Sequence, residues 1–145
     1  MRAIRRRLAI CISTALLSGC ATGGVAFERP TPPPPGQAMI YVYRPADLIG
    51  GAWPAYVTDN GHEFTTLSNG QYRAVPVDAG HHELGVGASG KGVGIDAVAG
   101  ETYYLRFGVM RGLTVYSNTA GFMRAYAQDA QNELQRCCKS VQDSE

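Results

Sequence analysis

A chain of 145 residues, 45% hydrophobic and 17% charged, allows one globular domain with at most a short appendage and excludes a disordered polymer. Its formal charge of +1 conceals an asymmetry. Arg2, Arg5, Arg6 and Arg7 supply four of the 13 basic residues, so the rest of the chain sets nine basic against 12 acidic residues. A weakly acidic body without a basic stripe argues against nucleic acid as a partner. Eighteen glycines and eight tyrosines point to a turn-rich β protein rather than a helical bundle.

In chain order, Met1 to Arg7 is a positive n-region and Leu8 to Leu17 a short apolar h-region. Ten residues are too few to span a bilayer, which takes about 20. The stretch ends in Leu17-Ser18-Gly19-Cys20, which resembles the bacterial lipobox. The resemblance implies a signal peptide over 1–19, a diacylglyceryl group on the Cys20 sulfur, cleavage before Cys20, and acylation of the new amino group with a palmitate-type chain. A thiol is the nucleophile for that transfer. Two or three acyl chains anchor a protein stably without a spanning helix. In the sorting scheme that accompanies the box, Ala21 implies the periplasmic face of the outer membrane.

Residues 20–37 are expected to form the lipidated cysteine and a tether. Pro30, Pro32, Pro33, Pro34 and Pro35 favour polyproline II, at about 3.1 Å per residue, and so a spacer of up to about 50 Å. The body follows over 38–118. Ala38 to Tyr43 reads as a strand with Ile40 and Val42 on one face and Met39, Tyr41 and Tyr43 on the other. Strands are expected over 52–58, 62–67, 72–77, 81–86, 92–98, 102–109 and 113–116. They are punctuated by turns at Asp59-Asn60-Gly61, Ser68-Asn69-Gly70, Asp78-Ala79-Gly80 and Gly100-Glu101. In the strand over 102–109, Tyr103, Leu105, Phe107 and Val109 share a face opposite Tyr104 and Arg106. Ala127, Ala130 and Leu134 recur at helical spacing, so an amphipathic helix is expected over about 126–138 in a C-terminal segment 119–145. The pattern leaves 119–125 open. The pattern therefore indicates a mainly β fold, a β-sandwich or barrel of about seven to eight strands with one C-terminal amphipathic helix.

Several groupings imitate chemistry. Gly85, Gly87 and Gly90 fit a dinucleotide fingerprint, and Gly85, Gly90 and Lys91 most of a P-loop. Both motifs need a helix after the glycines, whereas Val93 to Val98 is strand-like, so no nucleotide site is expected. His81 and Glu83 share a strand face and His62 is a third candidate ligand, but no set completes a metal site. His82, in phase with Leu84 and Val86, is expected to be partly buried and hydrogen-bonded. No serine sits in a nucleophile elbow, and Asp78, Glu83, Asp96 and Glu101 lie near turns, so no catalytic residues and no cofactor are expected. For Cys137-Cys138 the choices are a strained vicinal ring, an intermolecular bridge, or two thiols with one buried. Neighbouring Cα atoms stand about 3.8 Å apart, short of the usual disulfide span of about 4.4–6.8 Å, which favours the last two.

The order Ala38-Met-Ile-Tyr-Val-Tyr-Arg-Pro45, Asp59-Asn-Gly61, Leu67-Ser-Asn-Gly-Gln-Tyr72 and Val77-Asp-Ala-Gly-His81 resembles the DUF2846 family of bacterial lipoproteins. Gly80-His81 is also similar to PEGA-type sandwiches. The resemblance implies that the fold is a transthyretin-like or Ig-like β-sandwich, and it implies no catalytic residues. The expected function is a lipid-anchored envelope lipoprotein whose sandwich is a non-catalytic binding or structural module, with an envelope protein or glycan as partner. The alternative is a loop-based envelope hydrolase. The outward phase of Tyr41, Tyr43 and Tyr104 makes them the candidate partner surface, where the helix does not cover them.

Overall fold

The computed structural model describes residues 23–48, 51–87, 92–110 and 119–142. Nine strands and one helix are found there. They are β1 (Gln37–Arg44), β2 (Ala55–Asp59), β3 (His62–Leu67), β4 (Gln71–Asp78), β5 (Gly80–Val86), β6 (Gly92–Ala97), β7 (Thr102–Met110), β8 (Thr119–Arg124), α1 (Ala127–Cys137) and β9 (Lys139–Ser140). A five-stranded sheet runs β8-β7-β1-β4-β9, and a four-stranded sheet runs β3-β2-β5-β6. The chain is thus a β-sandwich with one C-terminal helix. The segment 119–125, left open by its sequence, holds strand β8. The strand expected over 113–116, the glycine-rich residues 88–91 and Cys20 lie outside the described residues.

Alternation along β1 divides the protein into two cores. Ala38, Ile40 and Val42, with Leu105 and Phe107 of the neighbouring β7, face the second sheet, where they meet Val57, Leu67, Leu84 and Ile95. Met39, Tyr41 and Tyr43 face the other way, into a layer with Phe27, Tyr104, Ala130, Leu134 and Cys138. Helix α1 therefore packs on the outer face of the five-stranded sheet, as its narrow Ala130–Leu134 side suggests. The result is three layers: sheet, sheet, and a cover.

The cover is only partly helix, and this corrects the reading of 20–37 as a free tether. Phe27 is 5% exposed and meets Tyr41 and Tyr72 edge-on, at centroid distances of 5.8 and 5.6 Å. Ala26 bridges to Lys139, the Val25 amide donates to Ser140 Oγ (2.9 Å), and the Ser140 amide donates to the Val25 carbonyl (2.8 Å). The Thr31 amide donates to the Tyr41 hydroxyl (2.7 Å). The segment 25–31 thus runs across the sheet rather than away from it. The physical reason is the aromatic face, which the helix alone leaves open.

Topology gathers the turns at two ends. At one, the Asn69 end, β1 and β3 finish, β2 and β4 begin, and α1 hands over to β9. There the Arg44 guanidinium donates to the carbonyls of Trp53 (2.6 Å) and Leu67 (3.3 Å) and lies 5.0 Å from the Phe107 ring centroid. At the opposite, Asn60 end, β1, β5 and β7 begin, β2, β4, β6 and β8 finish, and α1 starts. Gly61 and Gly70 take the positive φ that these turns require, 80° and 72°.

Cys137 and Cys138 form a bridge with each other, with Cα atoms 3.7 Å apart, against the expectation of separate thiols or an intermolecular bond. The physical reason is position. Helix α1 ends at Cys137 and Cys138 is already extended, with φ −129° and ψ 145°, so the ring interrupts no helical hydrogen bonding.

If residues 25–31 belong to the fold, removing the Phe27 ring leaves a cavity. Phe27→Ala is expected to lower stability by about 3 kcal/mol in urea unfolding, and Leu134→Ala by a similar amount. An unchanged Phe27→Ala midpoint would return the segment to the status of a loose tether.

Candidate functional site

Tyr41, Tyr43 and Tyr104, the expected partner surface, are 1%, 0% and 4% exposed. Their outward phase is as read, but the face is covered, and the correction is that these rings form an internal core. Tyr41 and Tyr104 stack at 5.2 Å. Each hydroxyl meets a different piece of the cover. Tyr41 accepts from the Thr31 amide, Tyr104 accepts from Gln131 Nε2 (3.0 Å), and Tyr43 donates to Glu133 Oε2 (2.9 Å). Arg106 clasps the same carboxylate through Nε and Nη2, at 2.9–3.1 Å. Burial, reinforced by the carboxylate, pushes the Tyr43 hydroxyl far above the ordinary tyrosine range. Burial acts to raise the Glu133 carboxyl, but the Arg106 and Tyr43 hydrogen bonds outweigh it and hold it below the usual carboxylate range. This cluster is a helix lock, with the Arg106 and Glu133 side chains 34% and 33% exposed at its rim.

An open cleft among the described residues lies at the Asn60 end. It holds about 400 Å³ and is lined by Thr102, Tyr103, Tyr104, Arg124, Tyr126 and their neighbours. Tyr126, the last residue before α1, is 85% exposed and offers a free aromatic face. The Arg124 guanidinium donates to the Gly94 carbonyl (3.0 Å), which ties β8 to the edge strand β6 of the other sheet. The Tyr103 hydroxyl donates to the Asp96 carbonyl (3.2 Å) and accepts from the Val98 amide (3.1 Å). Arg124 is the one charged residue among the described residues lining the cleft, so no acid–base pair faces it. Sequence reasoning missed this cleft because Arg124 falls in the segment 119–125 that the pattern left open, and Tyr126 reads only as the start of the helix.

The histidines occupy the same end. His81 and His82 point to opposite faces of β5, as alternation requires. His81 is exposed, with Nδ1 2.8 Å from Asp96 Oδ1 and Nε2 3.9 Å from Glu83 Oε2. His62 sits across the turn from Asp59. Among the described residues no three His, Cys, Asp or Glu side chains come together as a metal-ligating group. The partly buried His82 has Asp59 Oδ2 2.6 Å from Nδ1 and the Asp78 carbonyl 3.0 Å from Nε2. Both partners are acceptors, so the pair of contacts is fully satisfied by the doubly protonated ring. Burial works against that charge, but the Asp59 and Asp78 hydrogen bonds and the carboxylates' attraction raise its pKa above the usual histidine value. Asp59 Oδ1 is buried with no hydrogen-bond partner among the described residues, so the carboxylate leans on His82.

Strand β5 ends at Val86 and β6 begins at Gly92, antiparallel to it. A strand follows where a phosphate-binding motif requires a helix N-terminus. Comparison with protein-family models, curated proteins and solved structures finds no match to this chain.

Because the folded pKa of His82 is raised, its contribution to stability is complete below its unfolded value of about 6.5. It is lost as pH rises through the folded value. Wild-type stability is therefore expected to decline from about pH 6.5 upward. His82→Ala should be less stable by about 2 kcal/mol at pH 6 and lack that decline. Parallel pH profiles of the two proteins would remove the charged pair from the account.

Proposed function

We propose that this chain is a lipid-anchored lipoprotein of the bacterial envelope, facing the periplasm, whose sandwich is a non-catalytic binding module. The observation that carries this reading is the run of Arg5-Arg6-Arg7, ten largely apolar residues, and Leu17-Ser18-Gly19-Cys20. The order of turn motifs supports a place beside the DUF2846 lipoproteins. No helix among the described residues is long and apolar enough to cross a membrane, so the reading assigns attachment to the acyl chains on Cys20.

The cleft beside Tyr126 is the binding site in this reading. An exposed tyrosine face suits the apolar side of a sugar ring or a peptide side chain, and Arg124 and the Thr102 hydroxyl supply polar contacts. An envelope glycan or a protein segment matches that mixture. His82, with both nitrogens engaged, has none free to serve as a general base.

The native protein is expected to have the mass of a chain beginning at Cys20 plus diacylglyceryl and acyl groups, and Cys20→Ser should leave the membrane fraction. A photo-crosslinking residue at position 126 should capture one envelope component in intact cells, while the same residue at exposed position 98 should not. An unmodified mass overturns the anchor. Equal capture at the two positions overturns the cleft.

A further inference from the structure

Trp53 is the chain's single tryptophan, and it is 77% exposed; Leu48 is 101% exposed. Both stand at the Asn69 end. Asn69 Nδ2 donates to the Asp47 carbonyl, and the Asp47 amide donates to Asn69 Oδ1, each at 2.9 Å. That exchange pins the segment carrying Leu48 to the β3–β4 turn. A side chain at Gly51 would run into the Asp47 carbonyl and Asn69, so the turn leading to Trp53 passes close over the β3–β4 turn. The Trp53 carbonyl is held by Arg44. Two large apolar side chains are therefore displayed in water by a braced scaffold.

The other feature of this end is where the chain enters it. Gly23 lines a cleft of about 200 Å³ with Ser68, Asn69, Gly70, Gln71 and Lys139. Gly23 stands three positions after Cys20, a reach of at most about 11 Å when fully extended. With residues 25–31 docked on the sheet, no longer spacer intervenes. The exposed carboxylates Asp78, Asp96 and Glu101 cluster at the opposite end, and Asp47, beside Leu48, is an exposed carboxylate that the Asn69 end itself carries.

We propose that the Asn69 end lies on the lipid bilayer, with Leu48 and Trp53 inserted into its interfacial zone. The proposal rests on lipidation of Cys20 and adds an orientation to it. Tryptophan suits that zone because its ring is apolar and its N–H stays wet. An interfacial element sinks about 5–10 Å into the headgroup and acyl boundary, a depth within reach of a domain whose chain emerges about 11 Å from the anchor. The acyl chains supply the affinity, and the two side chains fix which end faces the membrane.

Tryptophan fluorescence tests this in the full lipidated protein, reconstituted into phosphatidylethanolamine–phosphatidylglycerol vesicles with acyl chains brominated near the headgroup. Trp53 emission should shift to shorter wavelength and be quenched by the bromolipid. Its acrylamide quenching constant should be about twofold lower than that of Cys20→Ser protein in buffer. Leu48→Glu in the lipidated protein should restore acrylamide access while the protein still floats with the vesicles. Intact mass separates the two ways to fail. A protein without acyl chains overturns the anchor and this orientation together. A lipidated, floating protein whose Trp53 remains open to acrylamide and untouched by bromolipid overturns the orientation alone. Protection of Trp53 in cell envelopes but not in pure lipid vesicles assigns this end to a protein partner and also overturns it.

Discussion

Strand β1 is buried on both faces, and most of the architecture answers to that fact. Every residue from Ala38 to Arg44 is buried, so the two sides of one extended segment must find separate cores. The second sheet satisfies Ala38, Ile40 and Val42. Met39, Tyr41 and Tyr43 need a third layer. Each such side chain contributes roughly 1.5–3 kcal/mol on burial, too much to leave in water for a domain of this size. The helix has 11 residues and is about 16 Å long, whereas the eight residues of β1 extend about 26 Å. A helix that short cannot cover the strand. The Phe27 segment covers what remains, and β9 joins the two pieces of cover by pairing with β4 on one side and with Ala26 on the other.

Tyrosine, rather than phenylalanine, lines this layer because the layer is thin. A ring rooted on β1 or β7 reaches its far boundary, where a hydroxyl can be satisfied. Tyr41 meets the N-terminal segment, Tyr104 meets Gln131, and Tyr43 meets Glu133. The apolar contacts of Ala130 and Leu134 would tolerate sliding. The Arg106–Glu133–Tyr43 cluster does not, because bidentate geometry holds only in one register. Helix position is thus set by polar groups at the rim and helix affinity by apolar groups beneath.

Much of this was legible in the chain itself. Period-two alternation placed Ile40 and Val42 opposite Tyr41 and Tyr43, and Leu105 and Phe107 opposite Tyr104 and Arg106. Turn residues marked the hairpins, and three- and four-residue spacing marked α1. What alternation cannot report is whether an outward face is covered, and so three buried tyrosines read as a partner surface. Proline-rich sequence fits polyproline II whether docked or free. The signal of docking was Phe27, a large apolar residue in a segment that otherwise had no use for one. Strand β9 is two residues long, too short to carry a pattern. Its existence depends on backbone groups of Tyr72, Gly70 and Val25 being near. The Cys137–Cys138 bridge likewise depends on where the helix stops, which propensity sets only to within a residue or two.

The docked segment also changes how the domain bears load. From Gly23 the chain crosses the full length of the third layer before it enters β1 at Gln37, at the far end. A pull on the chain ahead of Gly23 therefore meets the Val25–Ser140 hydrogen bonds and the Phe27 contacts first, and reaches β1 only after these have parted. Those hydrogen bonds lead into β9, which is held to β4 and to the Gly70 carbonyl and is joined to α1 through the Cys137–Cys138 ring. Tension is passed to the edge of the five-stranded sheet and to the helix, while the central strand and the sandwich core behind it stay out of the path. The covering of one aromatic face and the strengthening of one attachment point are, in this chain, the work of the same few residues.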